Sequence, residues 1–374
     1  MQYRNFKEDS LSLLGFGLMR LPQTKDGGPI DEKTAASMVD YALNHGVNYF
    51  DTAWPYMNGE SEPFIGKALR GKPRDSYYLA TKMPTWFLES ATDAERYFDD
   101  QLKRCQVDYF DYYLLHNYEL ERAEKCAQFG LFELMKKKQQ EGKIRHLGFS
   151  IHDGFEAMQK VTAMHDWEFI QLQINYMDWD MTYMQKQYDH ARAAGLPVII
   201  MEPVRGGVLA SLEGSAAEAL AAVRPGESQA AWALNFCASL EGVITILSGM
   251  TAPRQLEENV EILSHPWQFS EHDYAAVQKA AAEYQKSGAV QCTGCNYCMD
   301  CPEGVDIPKM LAIYNDYLRH NVGISFLTAY YAMGEGKQSY YCTGCGQCLD
   351  LCPQKLPIPD HMRDIKKLVE KLDV

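Results

Sequence analysis

Long apolar runs are missing from this chain: none reaches the ~18 residues that a membrane-crossing helix needs, so no transmembrane role is expected. Positive charge is short as well. Against 50 Asp and Glu stand 36 Lys and Arg, for a formal net charge of −14, which argues against nucleic acid or an anionic bilayer as partner. Simple solubility accounts for the acidity. No low-complexity segment interrupts the 374 residues, and no N-terminal signal segment is recognisable, so a secreted disulfide framework is not expected. Over most of its length the chain is also poor in cysteine. Cys105, Cys126 and Cys237 lie scattered in helix-like patterns and read as buried free thiols.

The other eight cysteines sit in two tight runs. The first is Cys292, Cys295, Cys298 and Cys301, followed by Pro302; the second is Cys342, Cys345, Cys348 and Cys352, followed by Pro353. Thiolates so close together repel and oxidise unless a soft metal centre holds them. Zinc sites usually pair two Cys-x2-Cys knuckles well apart in sequence, whereas two runs that each end in Cys-Pro are the ligand pattern of a pair of [4Fe–4S] clusters. Gly294, Gly344 and Gly346 let the backbone approach the cluster sulfides. The runs resemble those of two-cluster ferredoxins, in which each run lends its fourth thiolate to the other cluster. That resemblance implies one cluster on Cys292, Cys295, Cys298 and Cys352, and another on Cys342, Cys345, Cys348 and Cys301. The last gap of the first run is two residues, Met299 and Asp300, where the second has three. Such groups need a reducing compartment, so a cytoplasmic location is expected.

Ahead of the runs, strand and helix signals alternate. Short apolar runs read as buried parallel strands at 11–19, 47–50, 77–80, 112–115, 147–149, 169–174, 198–201 and 243–247. Helical patterns fall at 31–44, 92–105, 227–240 and 253–263, the first capped by Asp31. Eight strand–helix units predict an α/β fold, a closed (β/α)8 TIM barrel over 1–270. Residues 271–374 form a helical linker and an α-rich ferredoxin-like domain with two [4Fe–4S] clusters, with helices at 271–284, 307–318 and 358–372. The aromatic stretch 326–331 reads as packing around the clusters.

Active sites of such barrels lie where the strands end. The strand at 47–50 runs into Asp51-Thr52-Ala53, with Tyr56 close behind; that at 77–80 into Thr81-Lys82; that at 112–115 into His116-Asn117. Asp51, Tyr56, Lys82 and His116 thus converge from three neighbouring strands. With Gly15-Phe16-Gly17-Leu18-Met19-Arg20, Gly59-Glu60-Ser61-Glu62, Gly148-Phe149-Ser150 and Glu257-Glu258-Asn259, the chain resembles the aldo/keto reductase family, in the branch with a C-terminal ferredoxin-like extension. The resemblance implies a tetrad of Asp51, Tyr56, Lys82 and His116 that reduces a carbonyl with NADP(H) or NAD(H). Hydride addition creates an alkoxide needing a proton. A phenol of ordinary pKa ~10 becomes a better donor beside an ammonium, Asp51 would hold Lys82 charged, and His116 would orient the carbonyl.

By the same resemblance Ser150 and Gln171 would meet the nicotinamide carboxamide, with Gln173 of like strand parity. Ser248, Gly249 and the helix opening at Pro253 would take the pyrophosphate and adenosine ends, helped by Arg205, Arg254 and Gln255; Glu258 and Asn259 would meet the adenine, and Gly17 and Met19 also face the cofactor. Three positions depart from the family's pattern. Ile151 stands where relatives carry Asn, the strand at 198–201 leads into Glu202-Pro203 without a stacking aromatic, and Gln255 occupies the position of an arginine for the 2′-phosphate. Pocket specificity is expected from loops around Trp54, Trp86 and Phe87. A nicotinamide delivers two electrons together and a cubane normally one, so exchange between them needs an adapter such as a flavin. No flavin fingerprint is visible, although barrels hold FMN without an obvious motif. The clusters are then expected to be structural, or to carry electrons from a ferredoxin or flavoprotein partner to a small carbonyl substrate. The alternative is an electron-transfer module, or a cluster-driven reductase, whose barrel is a scaffold without nicotinamide.

Overall fold

Strand pairing follows chain order in a computed structural model, which describes every residue except Asp26, Met181, Tyr183 and Val374. An antiparallel hairpin comes first, β1 (Tyr3–Phe6) with β2 (Asp9–Ser12). Eight parallel strands then close a barrel: β3 (Leu14–Gly17), β4 (Tyr49–Asp51), β5 (Tyr78–Met83), β6 (Phe110–Leu115), β7 (Ile144–Ile151), β8 (Phe169–Gln173), β9 (Val198–Met201) and β10 (Val243–Gly249), with β10 paired back to β3.

The single strand expected at 11–19 is in fact two. Ser12 causes the break: its Oγ donates to the Leu14 carbonyl at 2.7 Å and accepts from Asn48 N, while Asn48 Oδ1 accepts from Ser12 N. Side chains thereby satisfy backbone groups where the ladder is interrupted. The hairpin sends Phe6 and Leu11 into the barrel's interior cluster, with Tyr49, Ala80, Tyr112, Leu114, Phe169 and Ile199. Asp9 rides with them. Its Oδ2 accepts from Tyr112 Oη at 2.9 Å and lies 3.0 Å from His146 Nε2, whose other ring nitrogen is 3.2 Å from Glu168.

Helices pack between the strands, and side-chain caps start several of them. Asp31 accepts from Thr34 N ahead of Glu32–Asn44, Ser90 from Asp93 N ahead of Ala91–Cys105, and Ser228 from Ala231 N ahead of Gln229–Ser239. Helices Ser61–Ala68, Leu120–Ala127, Leu131–Gln140, Phe155–Met164, Met184–Ala193 and Pro253–Ser264 complete the alternation. Cys105, Cys126 and Cys237 are buried free thiols. No helix among the described residues is long and apolar enough to cross a membrane.

The chain divides into two compact units, Met1–Val204 with Glu227–Tyr274, and Arg205–Gly226 with Ala275–Val374. The second contains the helices Ile307–His320, Gly323–Ala332 and Ile358–Leu372. They surround an apolar core that includes Val305, Met310, Leu311, Phe326, Tyr330 and Ile365, together with Cys298 and Cys352. The aromatic stretch is therefore helical, with Phe326 and Tyr330 facing inward.

Candidate functional site

Register alone aligns one wall of the barrel mouth. Paired residues of parallel strands point to the same face, and the pointing repeats every second residue. Asp51 pairs with Ala80, two residues before Lys82; Lys82 pairs with Leu114, two before His116; Leu114 pairs with Gly148, two before Ser150; and Ser150 pairs with Gln171. Asp51, Lys82, His116, Ser150 and Gln171 thus share the parity of the interior residues Tyr49, Ala80, Tyr112, Leu114 and Phe169; they rise one step from Asp51 to Lys82 and another to His116, with Ser150 and Gln171 level with His116.

Lys82 is fully buried. Its Nζ donates to Asp51 Oδ1 at 2.6 Å and to the Thr52 carbonyl at 2.8 Å, and lies 4.7 Å from the centre of the Tyr56 ring. Burial lowers the pKa of Lys82 and raises that of Asp51, while the ion pair between them opposes both shifts. The Tyr56 ring stands edge-on to His116 at 5.9 Å, and Trp86 lies 5.0 Å from His116. Burial, reinforced by the Lys82 charge, holds His116 well below the usual imidazole range, so its ring is neutral. Its backbone is pinned by a bond from His116 N to the Met83 carbonyl and one from Thr85 Oγ1 to its own carbonyl.

The loop that carries Tyr56 is unusual. Met57 (φ 53°), Asn58 (φ 54°) and Gly59 (φ 83°) are consecutive left-handed residues, a conformation costly for the two non-glycines. Arg104 clamps it. Its guanidinium stacks over Trp54 at 4.1 Å, donates to the Gly59 carbonyl at 2.5 Å and to Glu62 Oε2 at 2.7 Å. Glu62, fully buried, also accepts from Thr81 Oγ1 and Gln101 Nε2, and Gln101 Nε2 reaches the Lys82 carbonyl at 2.9 Å. Burial pushes the Glu62 pKa up against these bonds. Sequence reasoning gave Glu62, Gln101 and Arg104 no role. The visible signal was Gln101, a polar residue in the stripe Ala94, Phe98, Gln101, Cys105 on the buried face of Ala91–Cys105.

Among the expected cofactor residues, Ser150 Oγ accepts from Asn117 N at 3.0 Å. Gln171 donates weakly to Met201 Sδ, while its buried Oε1 has no hydrogen-bond partner among the described residues. Gly17 pairs with Gly249 at the ends of β3 and β10, and a Cβ there would come within 3.3 Å of the Ser248 carbonyl. Met19 follows, half-buried. Asn259 Nδ2 donates to Ser248 Oγ at 3.0 Å, tying helix Pro253–Ser264 to the end of β10. Gln255 Oε1 accepts from Thr251 N at 2.7 Å; Arg254 is exposed and Glu258 half-buried on the same helix. Arg205 opens the helix Arg205–Ala210 and belongs to the second unit.

In that unit the thiols ring two cavities. One of about 310 Å³ is lined by Cys292, Cys295, Cys298 and Cys352; the other, about 420 Å³, by Cys301, Cys342, Cys345 and Cys348, with Cys298 also reaching it. Both runs begin Cys-Thr-Gly-Cys and turn alike. Gly294 (φ 63°) and Gly344 (φ 75°) are left-handed, as are the residues after the second cysteine, Asn296 (φ 67°) and Gly346 (φ 84°). Gly294 N donates to Cys292 Sγ at 3.4 Å. Among the described residues no three His, Cys, Asp or Glu side chains converge on a point where one ion would sit. Thiols spread round a cavity instead match a cubane, in which each ligates a different iron. Burial and the neighbouring sulfurs push the Cys298 thiol far up, and Cys348 up to about 11.

Comparison with known proteins agrees with this geometry. Residues 13–282 match the model of the aldo/keto reductase family, and residues 291–356 that of the 4Fe-4S dicluster domain. L-galactose dehydrogenase of Arabidopsis thaliana is 28% identical over 271 residues, covering 67% of this chain and 83% of that protein. Aldo-keto reductase YhdN of Bacillus subtilis is 33% identical over 193 residues, 48% of this chain and 56% of that one. The chain spans 57% of the length of a probable aldo-keto reductase of Glycine max, at 28% identity over 53% of its own residues. Among solved structures, the holo form of an aldo-keto reductase from Bacillus halodurans superposes with a TM-score of 0.64 at 25% identity, covering 75% of this chain and 96% of that one. The chain therefore belongs to the aldo/keto reductase family, its eight-stranded barrel followed by a 4Fe-4S dicluster domain.

Proposed function

We propose that this protein is an NAD(P)H-dependent carbonyl reductase with Tyr56 as general acid, and that its second unit carries two [4Fe–4S] clusters. One observation carries the first half: the enclosed Lys82 ammonium, 2.6 Å from Asp51 and 4.7 Å from the centre of the Tyr56 ring. A fixed cation there stabilises the phenolate and so makes the phenol a readier donor to a developing alkoxide. Asp51 keeps Lys82 charged and aimed. Neutral His116 donates a hydrogen bond to the substrate carbonyl and steers it toward Tyr56. Trp86, against His116, and the Trp54 loop border the substrate.

The nicotinamide, when bound, supplies the hydride. The residues fit it: the carboxamide suits the enclosed Oε1 of Gln171 beside Ser150, and the start of helix Pro253–Ser264 offers backbone N–H groups to a phosphate. Ser248, Gly249 and Asn259 lie at that end, with Glu258 toward the adenine. Gln255 Oε1 accepts from Thr251 N, which leaves both NADH and NADPH as candidates. Arg254 remains available to a 2′-phosphate, and Arg205 is assigned to the pyrophosphate on family resemblance alone. Residues 1–270 form the reductase portion and 271–374 the cluster-bearing portion, each cluster drawing its fourth thiolate from the other run. The substrate is a small carbonyl compound, the compartment is the reducing cytoplasm, and a ferredoxin or flavoprotein is the electron partner.

The test is fluorescence titration of anaerobically prepared protein with NADH and NADPH, followed by turnover of Tyr56→Phe. Binding should be seen, and the substitution should reduce carbonyl reduction by on the order of 10²–10⁴. No nicotinamide binding at millimolar concentration would sink this reading and leave a barrel that only protonates a substrate reduced through the clusters.

A further inference from the structure

The two cysteine cages differ in their access to solvent. In the cage of Cys292, Cys295, Cys298 and Cys352, two ligands are enclosed, Cys298 at 8% and Cys352 at 7% exposure, and both belong to the unit's apolar core. Its walls include Pro308, Leu311, Leu356 and Ile358. In the cage of Cys301, Cys342, Cys345 and Cys348 none of the four is buried, and Cys345 is exposed. Two large apolar side chains there also reach water: Leu349, 40% exposed, follows Cys348, and Leu351, 36% exposed, lines this cavity. Exposed apolar groups beside a redox centre are a feature of surfaces that meet another protein. The cages also adjoin, since Cys298 and Ile358 line both cavities.

We propose that the cage of Cys301, Cys342, Cys345 and Cys348 is the port where single electrons enter or leave, exchanged with a soluble one-electron carrier protein. The cage of Cys292, Cys295, Cys298 and Cys352 is the interior relay reached through it. In each inward transfer the carrier loses one electron and the port gains one; no bond forms or breaks. Outer-sphere transfer decays steeply with distance, so the exposed cage outcompetes the enclosed one for any external partner, and the shared wall carries the electron inward. This rests on the cluster-bearing half of the proposed function.

The test uses the anaerobic full-length holoprotein. A soluble dysprosium chelate should speed the relaxation of one reduced-cluster EPR signal and leave the other largely unaffected. Cys345→Ser should alter the affected signal and Cys295→Ser the protected one. Leu349→Lys leaves all eight thiols in place. At low salt it should accelerate oxidation of the port by ferricyanide, an anion, several-fold, and the relay, which empties through the port, should follow. Equal relaxation of both signals, an affected signal that follows Cys295, or ferricyanide oxidation that Leu349→Lys leaves unchanged overturns the assignment. Iron analysis separates the two readings: protein without cluster iron refutes the clusters themselves, whereas two clusters of equal access refute only the port.

Discussion

Lys82 and Asp51 are buried together, and that pairing dominates what substitution there does. Removing one partner of a buried ion pair leaves an uncompensated charge, at a cost of ~3–5 kcal/mol, whereas removing both is much milder. Lys82→Met should accordingly lose about that much stability in urea denaturation, and adding Asp51→Asn should restore most of it while activity stays lost. Arg104 makes a second case. It holds the left-handed loop behind Tyr56 through Gly59 and Glu62, and misplacing a reacting group by about 1 Å can cost ~10²-fold. Arg104→Met should depress kcat by one to two orders of magnitude on that scale with KM little changed, and Arg104→Lys should recover part of it. The contrast shows what a sequence discloses at this scale. Asp51, Lys82 and His116 are readable because strand ends place them. Glu62 and Arg104 are not, because their partners lie on separate elements and only the fold brings them together.

Among the elements, the barrel strands were legible from their apolar runs and the first helix start from its cap Asp31, whereas the caps Ser90 and Ser228 were not read. The hairpin β1–β2 was not, because its apolar residues merge with those of β3 and only the Ser12–Asn48 bonds divide them. Its Asp9 introduces a pH dependence. Burial would lower the His146 pKa, but bonding to Asp9 and Glu168 outweighs it and raises the value; burial would raise the two carboxylates, but His146 and their other partners lower them. The His146 contribution is therefore complete below its unfolded pKa of ~6.5 and is lost as pH rises through the elevated folded value. That of the carboxylates is complete above about 4 and is lost as pH falls through their depressed values. Stability measured by denaturant at a series of pH values should decline on the alkaline side through this group. Asp9→Asn should lower it by roughly 1–3 kcal/mol near neutrality and flatten that decline.

For the whole molecule, the barrel owes its cohesion to a continuous ladder, whereas the cysteine-bearing loops have little regular structure and a modest core. Chelating the iron should abolish the cooperative melting of the second unit and leave that of the barrel, as two calorimetric transitions of which one depends on iron. A composition break near residue 270 was visible in the sequence. That Arg205–Gly226 belongs with the distant tail was not, because nothing in its local pattern distinguishes it from an ordinary connection between strand and helix. Its Leu209, Leu212, Ala216, Ala219 and Leu220 are buried. During synthesis this greasy stretch leaves the ribosome well before the remainder of its unit exists, so the nascent polypeptide must shelter it while the last barrel strand is still being made. A gene cut before Ala275 would strand it permanently, which makes clumping, rather than a tidy minimal reductase, the expected product of that shortcut.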